Sequence, residues 1–130
     1  MTYAMSRAIS AYRQAATAVS PIVAVVMLYD EALNSIRQAV HFIELKEYEM
    51  SFQRIQKCVD ILRGLRQNLD LEQGGALGQQ LCDTYTRNIF ALTSSIGKKD
   101  AAARLQTLSE GLLELRNAFA SIAGMNPRGS

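Results

Sequence analysis

The 130-residue chain carries 14 basic and 12 acidic residues, a formal net charge of +2, and 48% hydrophobic residues with no Trp. A chain of this length holds one domain with a core of its own. So even a charge balance, with no basic tract, gives no electrostatic case for nucleic acid or an anionic membrane.

Ala, Leu, Gln, Glu, Arg and Ile dominate the middle of the chain, and strand-like Val/Thr/aromatic alternation is nearly missing. That composition points to an all-α protein. Residues 1–19 read as a short amphipathic lead segment, with Met5, Ile9, Tyr12 and Ala16 able to share one helix face. It is too short to be stable alone, so it frays from an anchor or acts as a movable cap over a groove. Arg7 and Arg13 ahead of the apolar run from Ile22 to Tyr29 loosely resemble a signal peptide. Against that, Pro21 opens the run and Asp30 and Glu31 stand where a cleavage site belongs. The run is also far short of the roughly 20 residues of a membrane span. The chain is therefore expected to be soluble and cytoplasmic, without membrane insertion.

Ser20-Pro21 is a hard helix start: Ser20 can cap the first turn, and Pro21 fits a position whose N–H would be unpaired. The first helix is expected from Pro21 to Leu45, with Ile22, Val25, Val26, Tyr29, Ala32, Leu33, Ile36, Ala39, Val40 and Ile43 at three-four spacing. Asp30-Glu31 reads as a solvated pair at its edge. The second helix is expected from Tyr48 to Leu69. Tyr48, Phe52, Ile55, Val59, Leu62 and Leu69 form one stripe and Cys58, Ile61 and Leu65 a neighbouring one. So wide an arc is buried on two sides, or buried on one and free to dock a partner on the other.

Asn68 to Gly75 breaks the pattern with turn residues. The paired glycines follow no strand and precede no Lys-Ser/Thr, so they make no phosphate loop. The third helix is expected from Ala76 to Ile96, on Leu77, Leu81, Tyr85, Ile89, Leu92 and Ile96, with Gly97 ending it. Asp100 is expected to cap the fourth, which reaches Gly124 on Leu105, Leu108, Leu112, Leu115, Phe119 and Ile122. Gly111 inside it suggests close approach of a neighbour. Met125 to Ser130 reads as a disordered tail.

Similar lengths and short connections make the simplest architecture an antiparallel up-down-up-down four-helix bundle with a short N-terminal helical cap. The domain division is cap 1–19, bundle 20–124 and tail 125–130. Cys58 and Cys82 lack metal-ligand neighbours at CxxC or HxxxH spacing. A disulfide fits the sequence, but two free, mostly buried thiols in a reducing compartment are the expected state. His41, the single histidine, has no catalytic partner at a suitable spacing. No Glu-x-x-His pair exists for a di-iron site. The expectation is a protein that is not an enzyme and holds no metal or cofactor, and whose surplus apolar arc binds a helix of another protein.

Several stretches together resemble the FliS family, the flagellar export chaperones that escort flagellin. They are Ala11-Tyr12, Ser20-Pro21, Met27-Leu28-Tyr29-Asp30 with Ala32, Leu69-Asp70-Leu71-Glu72-Gln73-Gly74-Gly75, Leu81 with Tyr85, and Leu112-Leu113-Glu114-Leu115-Arg116-Asn117-Ala118-Phe119. The likeness covers about residues 9–122 in order. Departures at Glu31, Thr84, Thr86-Arg87, Phe90-Ala91 and Phe119 mark a divergent member. The resemblance implies a bundle that holds the disordered C-terminal segment of flagellin as helices in surface grooves and prevents premature polymerisation. It also implies delivery to a component of the flagellar export gate, and an N-terminal segment that covers part of the groove and moves aside. On this reading Met5, Ile9 and Tyr12 form the displaceable cap. Cys58, Ile61, Leu65, Leu81 and Tyr85 line the client groove, although plain core accounts for each of them equally. The protein is expected to be a monomer or weak dimer. The competing readings are a structural or regulatory bundle that self-associates, and a chaperone for a different secretion client.

Overall fold

Pro21 opens the first of four long helices, where its fixed φ suits the first turn. The structure, a computed structural model, describes residues 2–7, 21–69 and 71–129. In chain order the helices are α1 (Pro21–Glu44), α2 (Tyr48–Gln67), α3 (Leu71–Ser95) and α4 (Ala101–Ile122). A further helical turn spans residues 3–7, and no strand occurs among the described residues. The expected capping residue Ser20 lies outside them.

The connections turn tightly. Glu47 N donates to Phe42 O at 2.8 Å and Lys46 N to Ile43 O at 3.0 Å, the paired bonds that close a Schellman motif. Lys46 therefore takes a left-handed φ of +60° that glycine usually occupies. The α3–α4 turn uses Gly97 for the same purpose, at φ +78°. α3 starts before the expected Ala76: the chain is helical from Leu71, and the break sits at Gly75 (φ 54°, ψ −133°).

Side-chain contacts fix the helix directions. Asp30, near the start of α1, meets Arg116, near the end of α4. Ile43, at the end of α1, shares a hollow with Tyr48 and Phe52 at the start of α2. Arg66, at the end of α2, donates to Thr86, while Phe52 lies by Ile96 at the far end of α3. The arrangement is an up-down-up-down four-helix bundle. α1 packs extensively on α2 and α4, whereas α3 leans on α2 and only lightly on α4. Its core holds Tyr29, Ile36, Ile55, Leu62, Tyr85, Leu92, Leu105 and Leu112. Each large side chain fully buried there stabilises by about 1.5–3 kcal/mol.

The stripes fail at their ends. Tyr48 is 63% exposed and Phe52 47%, and Leu77, Ile96 and Ile122 are also exposed. Tyr48, Phe52, Ile96 and Ile122 lie at or close to a helix terminus, and Leu77 follows the break at Gly75. Gly111 meets no atom within 4 Å of where its Cβ would stand, so no neighbour approaches there. Asp100 makes no side-chain cap bond and instead pairs with Arg104 at 2.8 Å. The tail also departs from the expected disorder. Asn117 Nδ2 donates to Arg128 O at 3.1 Å, and Arg128 N donates to Asn117 Oδ1 at 2.9 Å. That reciprocal pair fixes residues 126–128 against α4.

Candidate functional site

Tyr29 and Asp30 are adjacent in sequence and point to different neighbours. Tyr29 is fully buried, and its Oη lies 2.6 Å from Tyr85 Oη. Its ring also lies 5.6 Å from that of Phe119, so one side chain joins α1, α3 and α4. Burial, together with the facing Tyr85, drives the Tyr29 phenol pKa far up. Burial raises Tyr85 as well, against a smaller opposing effect of the Tyr29 hydrogen bond. Both stay neutral, and one hydroxyl donates while the other accepts.

Asp30 faces the tail. Arg116 donates to it from Nε at 3.0 Å and Nη2 at 3.3 Å, and Arg128 from Nη1 at 2.9 Å. Arg116 Nη1 also donates to Asn126 O at 2.8 Å, and Arg128 Nη2 to Asn34 Oδ1 at 2.7 Å. Burial alone would raise the Asp30 carboxyl. Hydrogen bonds and charge from the two arginines outweigh it and hold the pKa below the usual carboxylate range. The expected solvated pair is therefore split: Asp30 latches the tail, while Glu31 makes an exposed bridge to Lys57 at 3.1 Å.

Concave surfaces among the described residues surround this core, three of them with apolar walls. A groove of about 270 Å³ between α1 and α4 is lined by Leu33, Ile36, Val40 and Leu113, with Arg37 and Glu110 on its rim and Arg128 at one end. A second, of about 410 Å³, follows α2 past Phe52, Gln56 and Ile61 and is bounded by Met5. The third, of about 400 Å³, lies at the end of the bundle between the α1–α2 and α3–α4 turns.

The residues expected in the client groove do not meet in one open groove. Cys58 is wholly buried, and burial pushes its thiol up to about 12. Leu65 is buried, Tyr85 is paired with Tyr29, and Leu81 packs half-buried against the same core. Ile61 borders the α2 groove, beside Met5. Of the cap residues, Met5 is 7% exposed and joins the core cluster. Ile9 and Tyr12 lie outside the described residues. Both thiols are free. The Arg116 network escaped the sequence reading, though a signal for it existed. Arg116 stands one turn after Leu112 and one before Ala120, a charge on a buried face.

Among the described residues no group of His, Cys, Asp and Glu could hold a metal ion, and no helix is long and apolar enough to cross a membrane. A family model described as Flagellar protein FliS matches residues 5–126. No curated protein matches the chain.

Proposed function

The chain belongs to the FliS family of flagellar proteins, and from that premise we propose that it is an export chaperone for flagellin. It takes the disordered C-terminal segment of flagellin in the cytoplasm and lays it as helices into apolar grooves. It thereby prevents premature polymerisation and delivers the client to the export gate of the flagellar secretion apparatus. The observation that carries this reading is the family match over nearly the whole chain.

The surface supports it. Apolar grooves run between α1 and α4 and along α2, and the N-terminal turn abuts the second of them through Met5. Met5, with Ile9 and Tyr12, is the displaceable cap of this reading. Ile61 is the first contact its departure would free. Cys58, Leu65, Leu81 and Tyr85 form the floor beneath, reached only where α2 and α3 part. Each large client side chain removed from water contributes about 1.5–3 kcal/mol. Ordering the client costs about 2–5 kcal/mol or more. The balance allows micromolar to nanomolar binding, with release that needs no nucleotide.

The test is calorimetry with a peptide of the last ~50 residues of flagellin from the same cell, a span disordered until bound. The expected result is a one-to-one complex with a negative heat-capacity change, weakened about tenfold or more by Ile61→Asp in a bundle that stays folded. No binding at high micromolar peptide would overturn the client assignment.

A further inference from the structure

The tail folds back on the bundle through a fixed turn and a polar fastener. Gly124, at φ +72°, closes a Schellman turn at the end of α4, with Met125 N donating to Ala120 O at 2.8 Å and Gly124 N to Ser121 O at 3.2 Å. The chain then runs back to Arg116 and Asn117 of α4, and Arg128 reaches across to Asp30 and Asn34 of α1. Arg128 and Gly129 thereby stand in the wall of the α1–α4 groove. From Val40 to Leu33 the groove follows about two turns of α1, roughly 10 Å. At the Leu33 end it meets the tail, because Arg128 is bonded to the neighbouring Asn34.

Two features make this contact reversible. Asn126, Pro127 and Gly129 are exposed, and Met125 and Arg128 only half-buried, so the hold is polar and no fully buried apolar side chain has to leave the core. Polar contacts within reach of water exchange for water at small net cost. Moreover, each side chain that accepts a bond from Arg128 has a second donor inside the bundle. Asp30 keeps Arg116 Nε at 3.0 Å, Asn34 Oδ1 keeps Arg37 Nη2 at 2.9 Å, and Asn117 Oδ1 keeps Arg116 Nη1 at 3.2 Å. Lifting the tail therefore leaves Asp30 and Arg116 paired with each other and strands no buried charge, the large penalty of breaking such a pair. We propose that residues 125–129 are a releasable strap: docked, they close the Asn34–Asn117 end of the α1–α4 groove, and a helix entering that groove lifts them off. That the helix comes from flagellin rests on the function proposed above; the strap itself does not.

The test is nuclear magnetic resonance on the full chain. In the parent, heteronuclear Overhauser effects at Asn126, Arg128 and Gly129 should be those of ordered backbone, and a soluble gadolinium chelate should barely relax the Arg116 Nε–H. Arg128→Ala should lower the first to the values of a free tail and raise the second, in a bundle whose helices keep their amide shifts. Parent values in the variant overturn the strap. So does an unfolded variant, because a contact on which the fold depends is not releasable. Saturation with the flagellin peptide should free the tail of the parent chain. Arg128→Ala should bind that peptide about threefold tighter or more, since no strap has to open first. Binding that leaves the parent tail ordered, or equal affinity for both chains, overturns the displacement while the flagellin reading stands. Binding to neither chain overturns that reading and the displacement with it, and Arg128→Ala alone still decides the strap.

Discussion

Removing the hydroxyl of Tyr29 would leave that of Tyr85 buried with no partner. An orphaned buried donor costs about 1–3 kcal/mol, whereas replacing both partners by apolar groups of the same shape is nearly neutral. Tyr29→Phe and Tyr85→Phe should each lower stability by that amount, and the double variant should lose less than their sum, read from urea midpoints in a double-mutant cycle. Asp30 makes a pH prediction. Its folded pKa lies below the unfolded value, which is about 3.9 for Asp. The stabilisation is therefore complete well above about pH 4 and is lost as pH falls through the folded value. Asp30→Asn should destabilise at neutral pH, and its deficit against the parent chain should shrink below about pH 4, seen in urea melts from neutral to acid. Neither role was legible in the sequence. Leu-Tyr-Asp stood out as a family-like segment, but that Tyr29 turns in to Tyr85 while Asp30 turns out to Arg128 depends on partners 56 and 98 residues away.

Helix stripes were the legible part, because apolar residues at three-four spacing must share a face and a bundle buries that face. What the spacing cannot say is where the neighbouring helix stops, so Tyr48, Phe52 and Leu77 counted as core and prove exposed. Gly111 misled for a related reason. A glycine in a helix implies a close neighbour only when one exists, and here the space is open. Gly111→Ala should therefore stabilise the chain by about 0.5–1 kcal/mol, measured as a rise in Tm. Lys46 offers the opposite exchange. A left-handed side-chain-bearing residue costs about 1–2 kcal/mol and glycine's extra chain entropy about 0.5–1. Lys46→Gly should thus leave the Schellman turn intact and raise Tm slightly. α3, the helix most lightly packed against its neighbour α4, should exchange its amide hydrogens sooner than α1, as measured by native-state hydrogen exchange.

At the scale of the molecule, the four-helix architecture was legible because matched helices with short connections admit few arrangements. The client groove was less so. Cys58, Leu65 and Tyr85 lie on apolar arcs, and an arc does not say whether a neighbouring helix or a client covers it. The C-terminal tail was the least legible, since it is held by bonds between side chains and backbone that leave no periodic trace. If the bundle's grooves are free for a client, light scattering of the purified chain should give the mass of a monomer, and a stable dimer would favour self-pairing. The latch between Asp30 and Arg128 also has a consequence in time. α1 and α2 can pair as a hairpin while the rest of the chain is still being made. The latch cannot close until Arg128 has left the ribosome, 98 residues after Asp30, which at about 5–20 residues per second is roughly 5–20 s of synthesis. Until α4 (Ala101–Ile122), made before Arg128, has also emerged, the α1 face destined for it has no cover, and a nascent chain stalled in that earlier part of the interval would be open to aggregation and to capture by other chaperones.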